Sequence, residues 1–376
     1  MSTAVRVERP APPDRDDRVA ARPLLARMLS RAETGPLVGA VAIFVIFLSV
    51  APVVHTQAGI SSILYTSAVY GIMVVPVSLL MIGGEIDLSA GVAITTSGLT
   101  ASMFSFQLTT NVWAGVAVAL VVSLAIGFFN GWLLTKTKLP SFLVTLGTFF
   151  MLRGLNFGIT KWITGNVSSD ATSDMAGFDS AKSVFAGQAT VGNAVWKIPI
   201  VFWLVLVVIA TWLLLKTKVG SWIFASGGDA NAARAVGIPV KWVKISLYMA
   251  VGFGTWLVGM HQVFSQQGAV QTAANTGLEL YFIAAAVIGG CLLTGGYGSA
   301  LGAALGAIII GTAQQGIVYA GWSSDWIYMF LGVLVLSLLS NVMNMIGVSA
   351  YFQTLAVGIV IIVAVVLDRL RRRDPS

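Results

Sequence analysis

Two acids within nine residues give the first chemical lead. The stretch GGEIDLSAG (Gly83–Gly91) carries Glu85 and Asp87, the only charged residues between Pro36 and Thr135. A carboxylate in so apolar a setting can gate a pathway or cap a helix. Asp87 directly precedes a new apolar run, where it can accept from the unpaired amides of a first helical turn, and Gly84 and Gly91 let the chain bend. Charge at membrane depth is costly and marks function. A cap-and-turn role and a part in transport or gating therefore both stay open for Gly84, Glu85, Asp87, Leu88, Ser89 and Gly91.

Other chemistries lack their residues. No G-x-x-x-x-G-K-[ST] phosphate loop occurs, so the chain is not expected to hydrolyse nucleotide itself. His55 and His261 make no metal spacing, Cys291 is the single cysteine, and neither H-E-x-x-H nor G-x-S-x-G is present. An enzyme, a metal site and a resident cofactor are all unexpected. Neutral hydrogen-bonding groups do cluster. His261, Gln262 and Gln266 end one apolar run, and Gln314 and Gln315 sit inside a later one. They suit either a polyhydroxylated solute crossing a pore or hydrogen bonds between helices.

A third lead is polar and lies between two apolar runs: SWIFASGGDANAARAVGIPVKWVKI, residues 221–245. Asp229 is a good N-cap, Ala230–Val236 are helix formers with Arg234 in the last turn, Gly237 stands where a left-handed terminator belongs, and Pro239 stops the helix. A two-turn helix is marginal alone in water. It needs a partner surface, either a groove on another protein fitted by Ala230, Ala233, the Arg234 stem and Gly237, or its own bundle.

The elements that position these residues follow from composition. Of 376 residues, 57% are hydrophobic and 10% charged, against about 25% charged in soluble domains. From Ile245 to Leu367 the only charges are Glu279 and Asp325. A spanning helix takes about 20 mainly apolar residues to cross a ~30 Å core, so the chain is expected to be an all-α polytopic membrane protein. Its net charge of +7 sits largely at the two ends and in one loop, which indicates topology and not nucleic-acid binding. Residues 1–35, with seven arginines, are expected to form a flexible cytosolic arm and not a removed signal peptide.

Spans are predicted at about Pro36–Val54, Ile60–Ile82, Val92–Phe106, Val112–Leu134, Ser141–Ile159, Ile198–Leu215, Ile245–Phe264, Ser299–Ala320, Trp326–Ile346 and Phe352–Leu367, with a shorter piece at Tyr281–Leu293. With the N-terminus inside, the loop at 216–244 is cytosolic and carries Lys216, Lys218, Arg234, Lys241 and Lys244. The loop at 160–197 is outside, where Lys161, Lys182 and Lys197 balance Asp170, Asp174 and Asp179. All eleven crossings would leave the four arginines of 368–373 outside. One piece, 281–293 or 326–346, is therefore expected not to cross fully. This gives about ten spans in a membrane domain at 36–368 and a basic cytosolic tail at 369–376. Small residues four apart favour close helix packing, predicted for Gly298, Gly302 and Gly306 and for Ser123, Gly127 and Gly131. GWSSDWIYMFLG (321–332) and GVSAYFQTLAVG (347–358) are similar enough to be two like helix entrances.

On these residues the chain resembles the permease subunits of ribose/xylose-type sugar ABC importers, over nearly its whole length from about residue 36. GGEIDLSAG is similar to that family's signature after the second span. GGDANAARAVGIPVKWVKI is similar to its coupling loop, with Asp229 in place of the usual Asn. GLELYFIAAAVIGGCLLTGGYGSALGAALGA (Gly277–Ala307) is similar to its glycine-rich block. Family members usually finish after one further span, whereas two are predicted here.

The resemblance implies a transmembrane permease subunit in the bacterial cytoplasmic (inner) membrane. It implies pairing as a homodimer, or as a heterodimer with a close relative, in contact with membrane lipid. Two ABC ATPase subunits would hold the ATP and magnesium, and a periplasmic or surface-anchored solute-binding protein would deliver the solute. Gly228, Asp229, Ala232, Ala233, Arg234 and Gly237 would then form the coupling helix. The rival is an ion-coupled secondary transporter. Such proteins hold carboxylates near mid-membrane on broken helices, whereas Glu279 and Asp325 fall near predicted helix ends.

Overall fold

The computed structural model describes residues 33–108 and 111–323, with 326, 327 and 332. Apart from 321–323, 326, 327 and 332, the expected spans at 326–346 and 352–367, the paired segments at 321–332 and 347–358, the C-terminal tail and nearly all of the N-terminal arm lie outside the described residues. In chain order the elements are α1 (Thr34–Val50), a 3-10 turn (Pro52–His55), α2 (Gln57–Ile82), α3 (Ala90–Leu108), α4 (Val112–Thr137), α5 (Ser141–Thr164), α6 (Phe178–Phe185), β1 (Gln188–Val191), β2 (Ala194–Lys197), α7 (Pro199–Lys216), α8 (Lys218–Gly228), α9 (Ala230–Ala235), α10 (Val240–Ser265), α11 (Leu278–Ile288) and α12 (Ala300–Tyr319).

Among the described residues six helices are long and apolar enough to cross a membrane: α2, α4, α5, α7, α10 and α12. They divide by burial. The most apolar stretches of α2, α10 and α12 are 72%, 67% and 67% buried, against 33%, 28% and 28% for α4, α5 and α7. The first three form the centre and the others the periphery, whose exposed Val121, Phe150, Val208 and Trp212 are surfaces that only lipid or another subunit can cover. The 19-residue α3 falls outside the six because serine and threonine interrupt it. Packed against α4, α5, α10 and α11, it buries Thr95, Ser97, Ser102 and Ser105 and needs little lipid-facing surface of its own.

The short piece expected at 281–293 is α11, 11 residues and so about 16 Å long, roughly half the ~30 Å core. An irregular stretch continues it to Ser299, where the Ser299 hydroxyl accepts from Gly302 N at 2.9 Å and starts α12. Gly302 and Gly306 face α11: a Cβ would stand 2.1 Å from Gly289 O at the first and 1.9 Å from Ala285 O at the second. Gly298, predicted to continue that ridge, precedes the helix and packs on Cys291 and Ile82 instead. Gly127 and Gly131 lie against the α10 backbone at Tyr248 and Ile245, and the Ser123 carbonyl meets Gly252.

The all-α expectation needs one correction. The loop at 160–197 contains α6 and an antiparallel hairpin pairing Gln188 with Lys197 and Val191 with Ala194. Gly192 and Asn193 make its two-residue turn, with Gly192 at the positive φ (62°) such turns require.

Candidate functional site

Residues 83–89 leave α2, run without helix and enter α3, and their polar groups are bonded from several sides. Ser89 donates from its amide and its hydroxyl to Asp87 Oδ1, at 2.8 and 2.6 Å. Asn130 Nδ2 of α4 donates to Ser89 Oγ at 3.0 Å, and Thr148 Oγ1 of α5 donates to Asn130 Oδ1 at 2.6 Å. All four residues are buried. Asp87 thus fixes Ser89 through an Asx turn, and Ser89 begins α3. On one face of α5, Thr145 accepts from Leu88 N at 3.1 Å and Ser141 from Ile86 N at 3.3 Å. From α10, Tyr248 Oη donates to Ile86 O at 3.0 Å and Lys244 forms an ion pair with Glu85, both side chains nearly buried. Gly91 backs onto Glu279 and the Asn275 carbonyl so closely that a Cβ would meet them at 2.2 and 2.7 Å.

The same segment touches the polar region after α7. That region holds two helices, α8 and α9, where a single short one is expected. Gly227, near the end of α8, lies on α2: its Cβ would stand 1.9 Å from Ile82 O and 2.6 Å from Gly296 N. Gly296 N also donates to Ile82 O at 2.8 Å. Gly84, at φ +82°, packs on Gly227, and Gly295 packs on Gly84. Three backbone segments therefore meet with no side chain between them. Two residues after Gly227 stands Asp229, the N-cap of α9.

In α9, Asp229 Oδ1 accepts from Asn231 N at 2.8 Å and Ala232 N at 3.0 Å. The Ala232 and Asn231 amides hold its exposed carboxyl below the usual carboxylate range. At the other end Gly237 N donates to Arg234 O and Ile238 N to Ala233 O, both at 3.0 Å, with Gly237 at φ +85°. This is the paired closure of a Schellman terminus. Arg234 Nη1 donates to Asn231 Oδ1 at 2.8 Å. Ala233, expected on the docking face, is 3% exposed and turned into the bundle. The outward face carries Ala232, Arg234, Ala235 and Val236, the short Asp229–Gly237 helix having room to bury only one alanine.

At the opposite end of α10, His261 is buried, with Nε2 2.8 Å from Tyr65 Oη and Nδ1 2.9 Å from Phe185 O. The Lys197 ammonium lies 4.0 Å above the Tyr65 ring. A cavity of about 510 Å³ opens there, lined in part by Tyr65, Asp179, Lys182, Gln188, Lys197 and His261. Gln262 and Asn275 exchange two 2.8 Å hydrogen bonds, and Asn275 Nδ2 also donates to Thr95 at 3.1 Å. Gln314 accepts from Tyr70 at 3.0 Å and Gln315 donates to Thr66 at 2.8 Å, tying α12 to α2. Gln266 is exposed just beyond α10.

Sequence pattern does not single out Asn130, Thr148, Gly227 and Arg153. Arg153 is the thirteenth residue of the 24-residue α5 and is exposed. An arginine at a helix centre costs about 2.5–3.5 kcal/mol on insertion scales. It makes no hydrogen bond or ion pair among the described residues, although its charge acts on Glu279. No group of three or more histidine, cysteine or acidic residues able to hold a metal occurs among the described residues.

Six helices long and apolar enough to cross a membrane thus accompany a hub of non-helical backbone to which the capped α9 is attached. Residues 59–339 match the family model described as branched-chain amino acid transport system / permease component. The ribose import permease protein RbsC of Escherichia coli K12 is 30% identical over 342 residues, covering 90% of this chain and 94% of the relative. The fructose import permease protein FrcC of Rhizobium meliloti is 31% identical over 274 residues, 73% and 74% of the two chains. The L-arabinose ABC transporter permease protein AraH of Azospirillum brasilense is 28% identical over 319 residues, 85% and 82%. No solved structure gives a significant match. The chain therefore belongs to this family of membrane-embedded transport permeases, in company with the permease components of sugar ABC importers.

Proposed function

We propose that this protein forms the translocation pathway of an ATP-driven importer for a sugar or similar small polar solute in the bacterial inner membrane. Separate ATPase subunits supply the energy, a second permease subunit (most simply another copy) completes the path, and an external solute-binding protein delivers the cargo. The N-terminus is cytosolic, as are α8 and α9, while α6 and the hairpin are outside. α1–α5, α7, α10, α11 with its irregular continuation, and α12 then give nine crossings over the described residues. With α11 counted, 326–346 is the piece that does not cross fully, and the tenth crossing is expected at 352–367, outside the described residues.

One observation carries the coupling role: the backbone contact of Gly227 with Ile82 and Gly84, two residues before Asp229, the N-cap of α9. An ATPase surface that grips Ala232, Arg234 and Val236 and moves between two states biases the residue 83–89 hub through that contact, because close-packed backbone cannot absorb displacement. The secondary-transporter reading is not favoured, since the relatives are permeases of import systems.

The test is the complex reconstituted in vesicles with its ATPase and loaded binding protein. Arg234→Glu and Gly237→Pro should abolish solute-stimulated ATP hydrolysis while insertion and assembly of the permease remain normal. Unchanged stimulation, or uphill transport by this chain alone, would reject the coupling role.

A further inference from the structure

Arg153 lies about 18 Å along α5 from Ser141 and about 16 Å from Thr164 at 1.5 Å per residue, farther from either membrane surface than an arginine side chain reaches by snorkelling. Intramembrane cations almost always face a bundle interior or a water-filled cavity. Here the side chain is exposed and unbonded among the described residues. The turn of α5 that carries it meets α3 on one side, and on the other side Phe150 and Phe157 are exposed. Leu152 packs with Val92 and Ala93 at the start of α3, and Asn156 Nδ2 reaches Val92 O at 3.5 Å. On the adjoining side of the same turn, Gly91 backs onto Glu279 at the start of α11. The turn of α5 that carries Arg153 and the start of α11 that carries Glu279 thus both pack on the first turn of α3, and the arginine lies within electrostatic reach of the glutamate.

We propose that this flank of α5 is a wall of the water-filled solute path, and that the Arg153 guanidinium contacts the passing solute by donating to its hydroxyl oxygens, with Glu279 as the counter-charge that keeps the cation tolerable at that depth. The proposal rests on the reading of the chain as a translocation subunit and adds the residue that touches the cargo. A guanidinium has five N–H donors in a planar fork and no acceptor, which suits vicinal hydroxyls. By contrast His261, Gln262, Gln314 and Gln315 are already bonded to neighbouring helices.

The single cysteine, buried Cys291, allows a clean test. In a Cys291→Ala background of the full complex in vesicles, Arg153→Cys and, as a control on the exposed face of α7, Val208→Cys are treated with a charged, membrane-impermeant methanethiosulfonate and with N-ethylmaleimide. The proposal expects Arg153→Cys to react with the charged reagent at least about tenfold faster than Val208→Cys, as for a wall in water against one in lipid. It also expects Arg153→Lys to keep part of the D-ribose, D-fructose or L-arabinose uptake that the parent complex shows and Arg153→Leu to lose it. Equal inertness of both cysteines to the charged reagent overturns the proposal, as does full uptake by Arg153→Leu. Labelling requires no transport, so a parent complex without ATP-dependent uptake counts against the functional reading alone.

Discussion

The two ends of α10 are built differently. Around its first turns, at the proposed cytosolic end, backbone packs on backbone: Gly227 on Ile82, Gly84 on Gly227, Gly295 on Gly84. Around its last turns contact runs through side-chain tips, His261 to Tyr65 and Phe185 O, Gln262 to Asn275, Lys197 over Tyr65. Side-chain bonds can be exchanged for water or for a partner's groups at small net cost. Interlocked backbone has no such alternative and transmits displacement. The first end is made to pass on movement, the second to yield to it.

The sharpest way to break that contrast is one methyl group. In Gly227→Ala the Cβ would stand 1.9 Å from a carbonyl oxygen, an overpacking cost on the order of 3 kcal/mol or more because no side chain can give way. Solute-stimulated ATP hydrolysis should disappear, and the melting temperature in detergent should fall. Gly228→Ala, one residue on, meets nothing within 4 Å and should behave as wild type in both assays. Equal effects of the two would show that the junction is not interlocked.

Next comes the ion pair. Glu85→Gln leaves the Lys244 ammonium nearly buried and uncompensated, a loss of about 3 kcal/mol. Thermal unfolding should register it, and Lys244→Met in the same chain should restore part of it. A smaller loss, about 1–3 kcal/mol for an orphaned buried polar group, is expected for Thr148→Val, which removes the donor to Asn130. At the yielding end, Tyr65→Phe takes one hydrogen bond from His261 beside a cavity and should cost about 1 kcal/mol at most, with uptake rates measuring whether that end tolerates it.

What sequence reveals here follows the range of the interaction. The cap, length and terminator of α9 are local and were legible from Asp229 to Pro239. Gly227 and Gly228 are adjacent and identical in type, yet a Cβ is excluded at only the first, because the deciding atoms, Ile82 O and Gly296 N, lie far away in the chain. Asn130 and Thr148 read as scattered polar residues in two apolar runs until α4 and α5 stand side by side. Arg153 was hidden because one charge barely alters the hydropathy of α5. The hairpin has a readable signal, Gly-Asn between two β-prone runs, inside a stretch whose mixed polar composition reads as loop.

The smallest effect should come from the cap of α9 itself, and it separates the lever from the junction. The amides of Ala232 and Asn231 stabilise the charged Asp229 carboxyl, so its folded pKa lies below the unfolded one. Its contribution is therefore complete above the ordinary carboxylate range and fades as the pH falls through the lowered folded value. Hydrogen exchange across residues 229–238 in the reconstituted permease should be flat near neutrality and rise only in acid, after correction for the intrinsic pH dependence of exchange. Asp229→Asn, an N-cap of similar strength, should keep the protection and lose the acid sensitivity; Asp229→Ala should lose the protection at every pH. The backbone contacts of Gly227 involve no titrating group, so exchange at Gly227 and Gly296 should not follow this profile. If it did, α9 and the junction would open as one unit, and the lever would have no independent hinge.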